Sequence, residues 1–370
     1  MCKSHRPRRL HGCVDNTFFI ALRSPQRSIR ELSKVFKNVI VYRIAPQEGE
    51  ALAKLEEGLD KARFVPCGAS QERSAGWVEP RGEAHAPLVE SIGGQWIMKF
   101  MVEAKVVPGT VVRRKLEERI AQIEKETGRK PGRKEAKELK EDVLLQLLPM
   151  AFTRQGATPV WVDPQAGWLV VGSSAQARAD EVVTALVDAL PGVTVVPLYT
   201  QQSATAAMSD WLVSQDPPEG FSVDRECELK AGDESKAVVR YARHPLDIDE
   251  IRAHIEQGKL PTRLALTWQD RVSFVLTEGM QLKKITFLEG VFEGGGNQKE
   301  DGFDADAAIS TGELGQLVPD LLEALGGEMP EGGMPSVPGA APVAAVTSSA
   351  VAPEKAAATT VAAEDDDAPF

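Results

Sequence analysis

Strand-like and helix-like segments follow one another without strict alternation between residues 35 and 325, and this order limits the fold more than composition does. Residues 35–44 and 95–107 are rich in β-branched residues and predict strands. Leu52, Leu55 and Leu59 share one face of a helix predicted over 46–62. This irregular mixture predicts an α+β fold rather than a doubly wound parallel sheet.

The region 156–328 continues the same mixture. Turn residues and apolar runs predict several elements there. In chain order they are a strand hairpin around the turn at 163–167, a helix at 175–190, a strand in "VTVVPLY", a meander of "RLALTW", "RVSFVLT" and "LKKITFL", and a helix at 311–325 ended by Gly326 and Gly327. The meander turns fall at 269–270 and 278–279.

A pair of helices is predicted between these two regions, within 95–152. Apolar residues recur at helical spacing over 109–127 and again over 133–148. Gly128, Pro131 and Gly132 separate the two runs and predict a tight connection. The predicted unit is a strand followed by a long helical hairpin.

Charge is distributed very unevenly along the chain. The net charge is −11, so a general attraction to nucleic acid is excluded and any such binding requires a local positive field. Residues 105–142 hold twelve cationic and eight acidic residues, a net charge of +4. The candidate phosphate-binding residues in this basic hairpin are Arg113, Arg114, Lys115, Arg119, Arg129, Lys130, Arg133, Lys134 and Lys137. A solvated helix pair with i,i+4 salt bridges explains the same pattern without a ligand.

The two ends differ from the middle in composition. Residues 1–34 form an irregular basic extension of net charge +6, and 329–370 form an Ala/Pro-rich acidic tail that we expect to be disordered. No apolar run approaches the length of a membrane span.

Catalytic and metal-binding motifs are absent from the sequence. It contains no P-loop, GxGxxG, HExxH or GxSxG motif, and its four cysteines form no CxxC pair, so we expect no cofactor, no metal and no enzymatic activity. The acidic pair Asp304 and Asp306 leaves one enzymatic alternative, a Mg²⁺-dependent nuclease. We expect these two residues to follow a glycine-rich loop and precede a strand.

Several stretches occur in the order found in the RdgC family of bacterial recombination-associated proteins. They are "FKNVIVYRI", "FVPCG", "GWVEP", "LKEDVLLQLLPMAF", "LALTWQDRVSFVL" and "FDADAAISTGEL…LLEALGGE", and the resemblance covers 35–328. It implies a cytoplasmic, nucleoid-associated protein that binds double-stranded DNA with little sequence preference and restrains RecA-driven strand exchange. It also implies a horseshoe-shaped subunit, a ring-shaped homodimer and no catalysis.

The resemblance also assigns roles to individual residues. Phe152 in "LLPMAF" matches the family's finger phenylalanine and becomes a candidate dimer contact in a loop after a helix. Some family members carry Arg where this chain has Met150, so Arg154 is the substitute candidate for a phosphate contact. Arg243 and His244 match a pair near the other dimer contact, although a proline after His244 departs from the family pattern.

Two further expectations complete the sequence-based reading. Because the family begins near Phe36, we expect residues 1–34 to be upstream sequence that is absent from the native protein, with Val35 at an alternative start codon. A protein-interaction module whose hairpin binds a protein partner remains an alternative to the DNA-binding function.

Overall fold

The computed structural model describes residues 36–45, 51–291 and 302–329. Residues 1–34 and 330–370, on which the extension and tail predictions fall, lie outside the described residues, as do 46–50 at the predicted start of the first helix. The described helices are α1 (Ala51–Lys61), α2 (Gly109–Thr127), α3 (Arg133–Leu147), α4 (Gln176–Ala189), α5 (Ala204–Ser214), α6 (Asp249–Glu256) and α7 (Gly302–Ala324).

The described strands form two antiparallel sheets. They are β1 (Ile40–Ile44), β2 (Arg73–Val78), β3 (Val89–Ile92), β4 (Gln95–Val106), β5 (Phe152–Asp163), β6 (Trp168–Val171), β7 (Val195–Pro197), β8 (Phe221–Ala231), β9 (Val238–Ala242), β10 (Lys259–Trp268), β11 (Val272–Thr277) and β12 (Leu282–Phe287). One sheet has the order β2-β4-β5-β6-β1-β7, with β3 also paired to β4, and the other has the order β12-β11-β10-β8-β9. The α+β prediction is confirmed.

Both faces of the seven-stranded sheet are covered around β1. Ile40, Tyr42 and Ile44 pack with α1 and α4 on one face. Val39 and Val41 point to the other face and pack with α5, α7 and the five-stranded sheet. Because successive strand residues point to opposite faces, a strand buried on both sides reads as the continuous apolar run that predicted it.

The two longest strands of this sheet, β4 and β5, are adjacent and antiparallel. They pair along their full length, from Trp96 opposite Val162 to Val106 opposite Phe152. Helices α2 and α3, followed by a 3₁₀ turn at Leu148–Met150, form the connection between them. Gly128 ends α2 with φ of 72°, a left-handed conformation that glycine adopts without steric cost. The predicted limits of both helices are confirmed to within one residue.

The predicted meander is confirmed, and its first turn has an unusual backbone. Arg263 pairs with Thr277 and Val272 with Phe287, which places β11 between β10 and β12. Gln269 and Asp270, between β10 and β11, both have positive φ values, of 47° and 53°. The N–H of Arg271 donates to the carbonyl oxygen of Trp268 at 2.8 Å, which closes a turn with two left-handed central residues, a geometry whose twist matches that of the strands.

Two sequence-based expectations were wrong in detail. Helix α7 begins at Gly302 rather than 311, so Asp304 and Asp306 lie in a helix and do not precede a strand. Phe152 is the first residue of β5 rather than a loop residue. In addition, no expectation was made for strands β2, β3, β8 and β9 or for helix α5, which the structure contains. Among the described helices, none is long and apolar enough to cross a membrane.

Candidate nucleic-acid interface

The helical hairpin formed by α2 and α3 is exposed over most of its surface. Val112 in the first turn of α2 and Val143 in the last turns of α3 are the buried residues of the two helices. Both lie at the base of the hairpin, next to β4 and β5. The other residues of the two helices are half-buried or exposed. All nine candidate cations of the hairpin are among the exposed residues.

Six of these cations have a carboxylate partner within the hairpin. The pairs have N–O distances between 2.9 and 3.9 Å, and they are Arg113–Glu117, Arg114–Glu118, Lys115–Glu118, Arg129–Glu135, Lys130–Glu124 and Lys137–Glu141. Exposed pairs of this kind contribute about 0–1 kcal/mol each. Because they are so weak, a phosphate group can replace the carboxylate at little cost.

The other three cations have no such partner. Among residues 36–45, 51–291 and 302–329, no carboxylate lies within 4.0 Å of the charged nitrogens of Arg119, Arg133 or Lys134. Arg119 instead donates to the side-chain oxygen of Gln122 at 3.2 Å. Arg133 and Lys134 stand at the hairpin turn.

Most cations and acids of helix α3 lie on opposite sides, with Lys134 and Glu141 between them. Arg133, Lys137 and Lys140 follow i,i+4,i+7 spacing and lie within about 60° of one another around the helix. Glu135, Glu138 and Asp142 lie on the opposite side by the same geometry. We call the first group the cation row. Lys140 was not among the predicted residues, although its spacing from Arg133 in the sequence was the signal that could have identified it.

The start of α3 adds to the positive field of the cation row. Gly132 occupies the N-cap position and supplies no side-chain hydrogen bond, so the first backbone N–H groups lack a side-chain acceptor there. Glu135 is the acidic residue of the first turn, which also contains Arg133 and Lys134. Since a helix N-terminus carries partial positive charge, these cations reinforce it and favour an anion at this end.

An apolar patch lies at the base of the hairpin. Phe152 is 87% exposed, and Met150, Leu145 and Val106 are also exposed. Phe152 and Val106 are directly opposite each other on β5 and β4 and therefore share a face. This exposure is compatible with the candidate dimer contact that the resemblance assigns to Phe152. Arg154 is exposed two residues further along β5, on the same face as Phe152.

The second pair of candidate dimer residues lies on the other sheet. Arg243 and His244 follow β9, and Arg243 has a φ of 57°. The ring nitrogen Nδ1 of exposed His244 is 2.7 Å from the carbonyl oxygen of Pro245, so that nitrogen carries a proton and donates. Tyr241 lies beside the imidazole, with ring centres 6.0 Å apart. The backbone carbonyl of Pro245 thus orients the His244 ring, a contact that does not require proline at this position.

Two comparisons with known proteins decide the family. Residues 35–328 match the family model described as "RdgC: Putative exonuclease, RdgC". A recombination-associated protein RdgC of Dechloromonas aromatica is 46% identical over 302 residues, 80% of this chain and 99% of the relative. Relatives of the same name from Cupriavidus necator and a Janthinobacterium species are 45% and 41% identical, covering 79% and 80% of this chain and 98% of each relative. The chain belongs to the RdgC family.

The RdgC family description names an exonuclease, whereas the curated relatives are named for recombination. In this RdgC-family chain, Asp304 forms an ion pair with Arg81, which also pairs with Glu90. Asp304 and Asp306 are two residues apart on α7, so they point to different sides of the helix. Within the described part of the chain, no group of three His, Cys, Asp or Glu residues is arranged to hold a metal ion.

The cysteines that the structure describes also lack the features of a reactive site. Cys227 is buried, and burial together with the neighbouring Glu228 raises the pKa of its thiol to about 12. Desolvation and a hydrogen bond to Glu103 raise the pKa of the Cys67 thiol as well. A thiol with a raised pKa contains little thiolate near neutral pH and is a poor nucleophile.

Proposed function

We propose that this RdgC-family protein binds double-stranded DNA without sequence preference, through the helical hairpin. The observation that carries the proposal is the cation row of α3, held on one side of an exposed helix in a chain of net charge −11. Its three members span about 10 Å of helix axis. One strand of B-DNA presents about three phosphates over that length, at 3.4 Å per base pair.

The chemistry of these residues explains the lack of sequence preference. Lysine and arginine side chains on an exposed ridge contact phosphate oxygens, which carry no sequence information. The sequence contains none of the helix-turn-helix, zinc-finger or RNP-type patterns that read base edges or single strands. The dissociation constant per site should therefore be about 10⁻⁴–10⁻⁶ M at physiological salt, with steep salt dependence.

The proposal extends to a homodimer that encloses the duplex. Phe152 and its apolar neighbours provide one contact, and Arg243 and His244 provide the other, so the subunit has candidate contacts on both sheets. A closed dimer with the hairpins facing inward forms a ring around DNA. By occupying the template it restrains RecA-mediated strand exchange, and this places it on the nucleoid in the cytoplasm.

A comparison of triple variants tests DNA binding. Arg133→Gln/Lys137→Gln/Lys140→Gln removes the cation row, and Lys61→Gln/Lys236→Gln/Arg263→Gln removes three exposed cations elsewhere. Both variants lower the net charge by three. Fluorescence anisotropy with unrelated duplexes over a range of salt concentrations should show weaker binding for the first variant alone, with the slope of log K against log[salt] reduced by up to about 2.7. Equal losses in the two variants would contradict a specific role for the hairpin.

The protein-interaction alternative predicts a different result. If the wild-type protein shows no salt-dependent binding to any duplex at low salt but retains a protein partner, the hairpin is an interaction module. In that case the DNA-binding proposal is wrong.

The exonuclease named in the family description provides a second candidate function. Incubation of linear duplex with the protein and Mg²⁺ should release no nucleotides. The carboxylate of Asp304 is paired with Arg81, and the side chains of Asp304 and Asp306 point to different sides of α7. Nucleotide release by the wild-type protein that is lost in Asp304→Asn/Asp306→Asn would overturn the non-catalytic proposal. A melting curve of the double variant controls for loss of the ion pair.

A further inference from the structure

A second cationic surface lies on the sheet, beyond the base of the hairpin. Arg73 on β2, Ala104 on β4 and Arg154 on β5 are directly opposite one another and form one row across three strands. Since neighbouring strands are about 4.8 Å apart, the Cα atoms of the two arginines are about 10 Å apart. All three side chains point to the face that α4 covers further along the sheet.

The floor between the two arginines consists of small residues. The next row on the same face is formed by Ala75, Val102 and Gly156. The two arginines, Ala75 and Gly156 are exposed, Ala104 is half-buried, and Val102 in the centre is buried. The accessible part of the floor therefore carries only small side chains, which permits close approach of a group to Ala75 and Gly156.

Helix α4 contributes a third arginine. A Cβ atom placed on Gly156 would lie 3.9 Å from Nη2 of Arg178, so the guanidinium lies against this glycine. The other terminal nitrogen, Nη1, is buried and has no hydrogen-bond partner among the described residues. Arg178 therefore adds a positive charge beside the floor through the Nη2 side of its guanidinium, while its buried Nη1 is out of reach of a ligand.

The nearby carboxylates leave a net positive charge on this surface. Glu181 of α4 pairs with Arg73. Asp180 accepts a hydrogen bond from the side-chain amide of Gln176 at 2.8 Å. Glu103 lies on β4 next to Ala104 and so points to the opposite face, where it binds Gln155 and the backbone of Cys67. Asp180 keeps its charge but lies about 160° around α4 from Arg178, so the floor is bordered by three arginines and one carboxylate, Glu181.

We propose that Arg73, Arg154 and Arg178 form a phosphodiester-binding platform that continues the DNA path from the hairpin onto the sheet. Arginine suits this role because its planar guanidinium donates two parallel hydrogen bonds to phosphate oxygens. Arg154 is two residues from the start of β5, about 7 Å along the strand, so one duplex can contact the hairpin and the platform together. This inference rests on the proposed DNA-binding function and adds two residues and a surface to it.

Substitutions in the exposed floor and its rim test the platform without removing a packed side chain. Ala75→Glu places a carboxylate beside the arginines and should weaken duplex binding about tenfold more than Ala75→Gln, which adds the same bulk without the charge. Glu181→Gln releases Arg73 from its ion pair and should strengthen binding a few-fold. Arg154→Ala should reduce the salt slope by about 0.9, and Arg263→Ala on the other sheet should not.

The outcomes separate the platform from the proposed function. If the floor and rim variants bind like the wild type while the cation-row variant loses affinity, the platform is wrong and the hairpin proposal stands. If the wild type binds no duplex, both are wrong. Titration with inorganic phosphate should compete only weakly, and strong competition would identify a free-phosphate site instead of a DNA contact. Melting curves for each variant establish that it is folded.

Discussion

Glu103 is a buried carboxylate that fixes a loop to the sheet. It is 4% exposed on β4 and accepts hydrogen bonds from the backbone N–H of Cys67 at 2.6 Å and the side chain of Gln155 at 3.1 Å. Lys105, two residues further on the same face, donates to the carbonyl oxygens of Gly68 and Ala69. These two side chains hold the segment 67–69 against the base of the β4–β5 pair.

The ionised form of Glu103 should stabilise the fold. The Cys67 N–H and Gln155 lower its pKa despite the opposing effect of burial. A carboxyl group whose pKa is lower in the folded state contributes stability above its unfolded pKa of about 4.3, and loses it as pH falls through the folded value. Glu103→Gln should therefore lower the melting temperature at neutral pH, and the difference from the wild type should narrow below about pH 4.3.

A matched variant controls for general charge effects. Lys61 lowers the pKa of Glu57 as well, but the side chain of Glu57 is 72% exposed. Glu57→Gln should thus change stability little at any pH, because water screens the pair. Thermal denaturation of both variants between about pH 3 and pH 7 makes the comparison, and a pH-independent loss in Glu103→Gln would contradict a role for the charge.

Phe152 should affect association and leave folding unchanged. Because its side chain is 87% exposed, Phe152→Ala should change the free energy of unfolding by less than about 0.5 kcal/mol. If this residue anchors a dimer contact, the same change should weaken self-association about tenfold or more. Sedimentation equilibrium provides the measurement. Tyr199→Ala, at another exposed aromatic residue, serves as the control, and equal effects in both variants would argue against a specific contact.

At the scale of elements, close packing of α1 against α4 depends on one glycine. A Cβ atom on Gly58 would lie 1.7 Å from the carbonyl oxygen of Ala189, so no side chain fits without moving a helix. Gly58→Ala should destabilise the protein by about 1–3 kcal/mol or more. Chemical denaturation measures the loss.

Gly312 in α7 provides the opposite case. A Cβ atom there meets nothing within 4 Å, so Gly312→Ala should stabilise the helix by about 0.5–1 kcal/mol through reduced backbone entropy in the unfolded chain. If both glycine variants shift stability in the same direction, contact geometry does not explain the Gly58 effect.

The elements that could be predicted from sequence are those whose signal is local. Gly128 and Gly132 mark the limits of α2 and α3, and apolar runs with turn residues mark the meander. Strand β8 was missed because its alternating charged residues, as in "DRECEL", resemble a loop, and its place between β10 and β9 is decided by pairing distant in sequence. The first turns of α7 were missed because one of the contacts that hold them is not local in sequence. Asp304 in these turns pairs with Arg81, which is 223 residues away.

The candidate site was predictable to a similar extent. The cations of the hairpin stand out in the sequence, and the spacing of Arg133, Lys137 and Lys140 contains the information for the cation row. The platform on the sheet was not predictable. Arg73, Arg154 and Arg178 are far apart in the chain, and only strand register and the packing of α4 bring them to one surface.

For the whole molecule, the proposed ring makes a topological prediction. A closed dimer around DNA should remain on a covalently closed circle at a salt concentration that removes it from the same DNA cut once, because the linear duplex lets the ring slide off. Retention is measured by gel filtration at increasing salt. Phe152→Ala should abolish the difference in retention between circular and linear DNA. Equal release of the wild-type protein from both DNAs would contradict enclosure.

The position of the helical hairpin in the chain has a consequence for how the family can vary. The hairpin leaves β4 and returns to β5, and these strands are neighbours held in fixed register from Trp96 opposite Val162 to Val106 opposite Phe152. Its two attachment points therefore stay side by side whatever lies between them. Whole helical turns can be added or deleted at the tip without shifting a single strand. The length of the helical hairpin can therefore change in evolution, or by design, while the sheet stays the same.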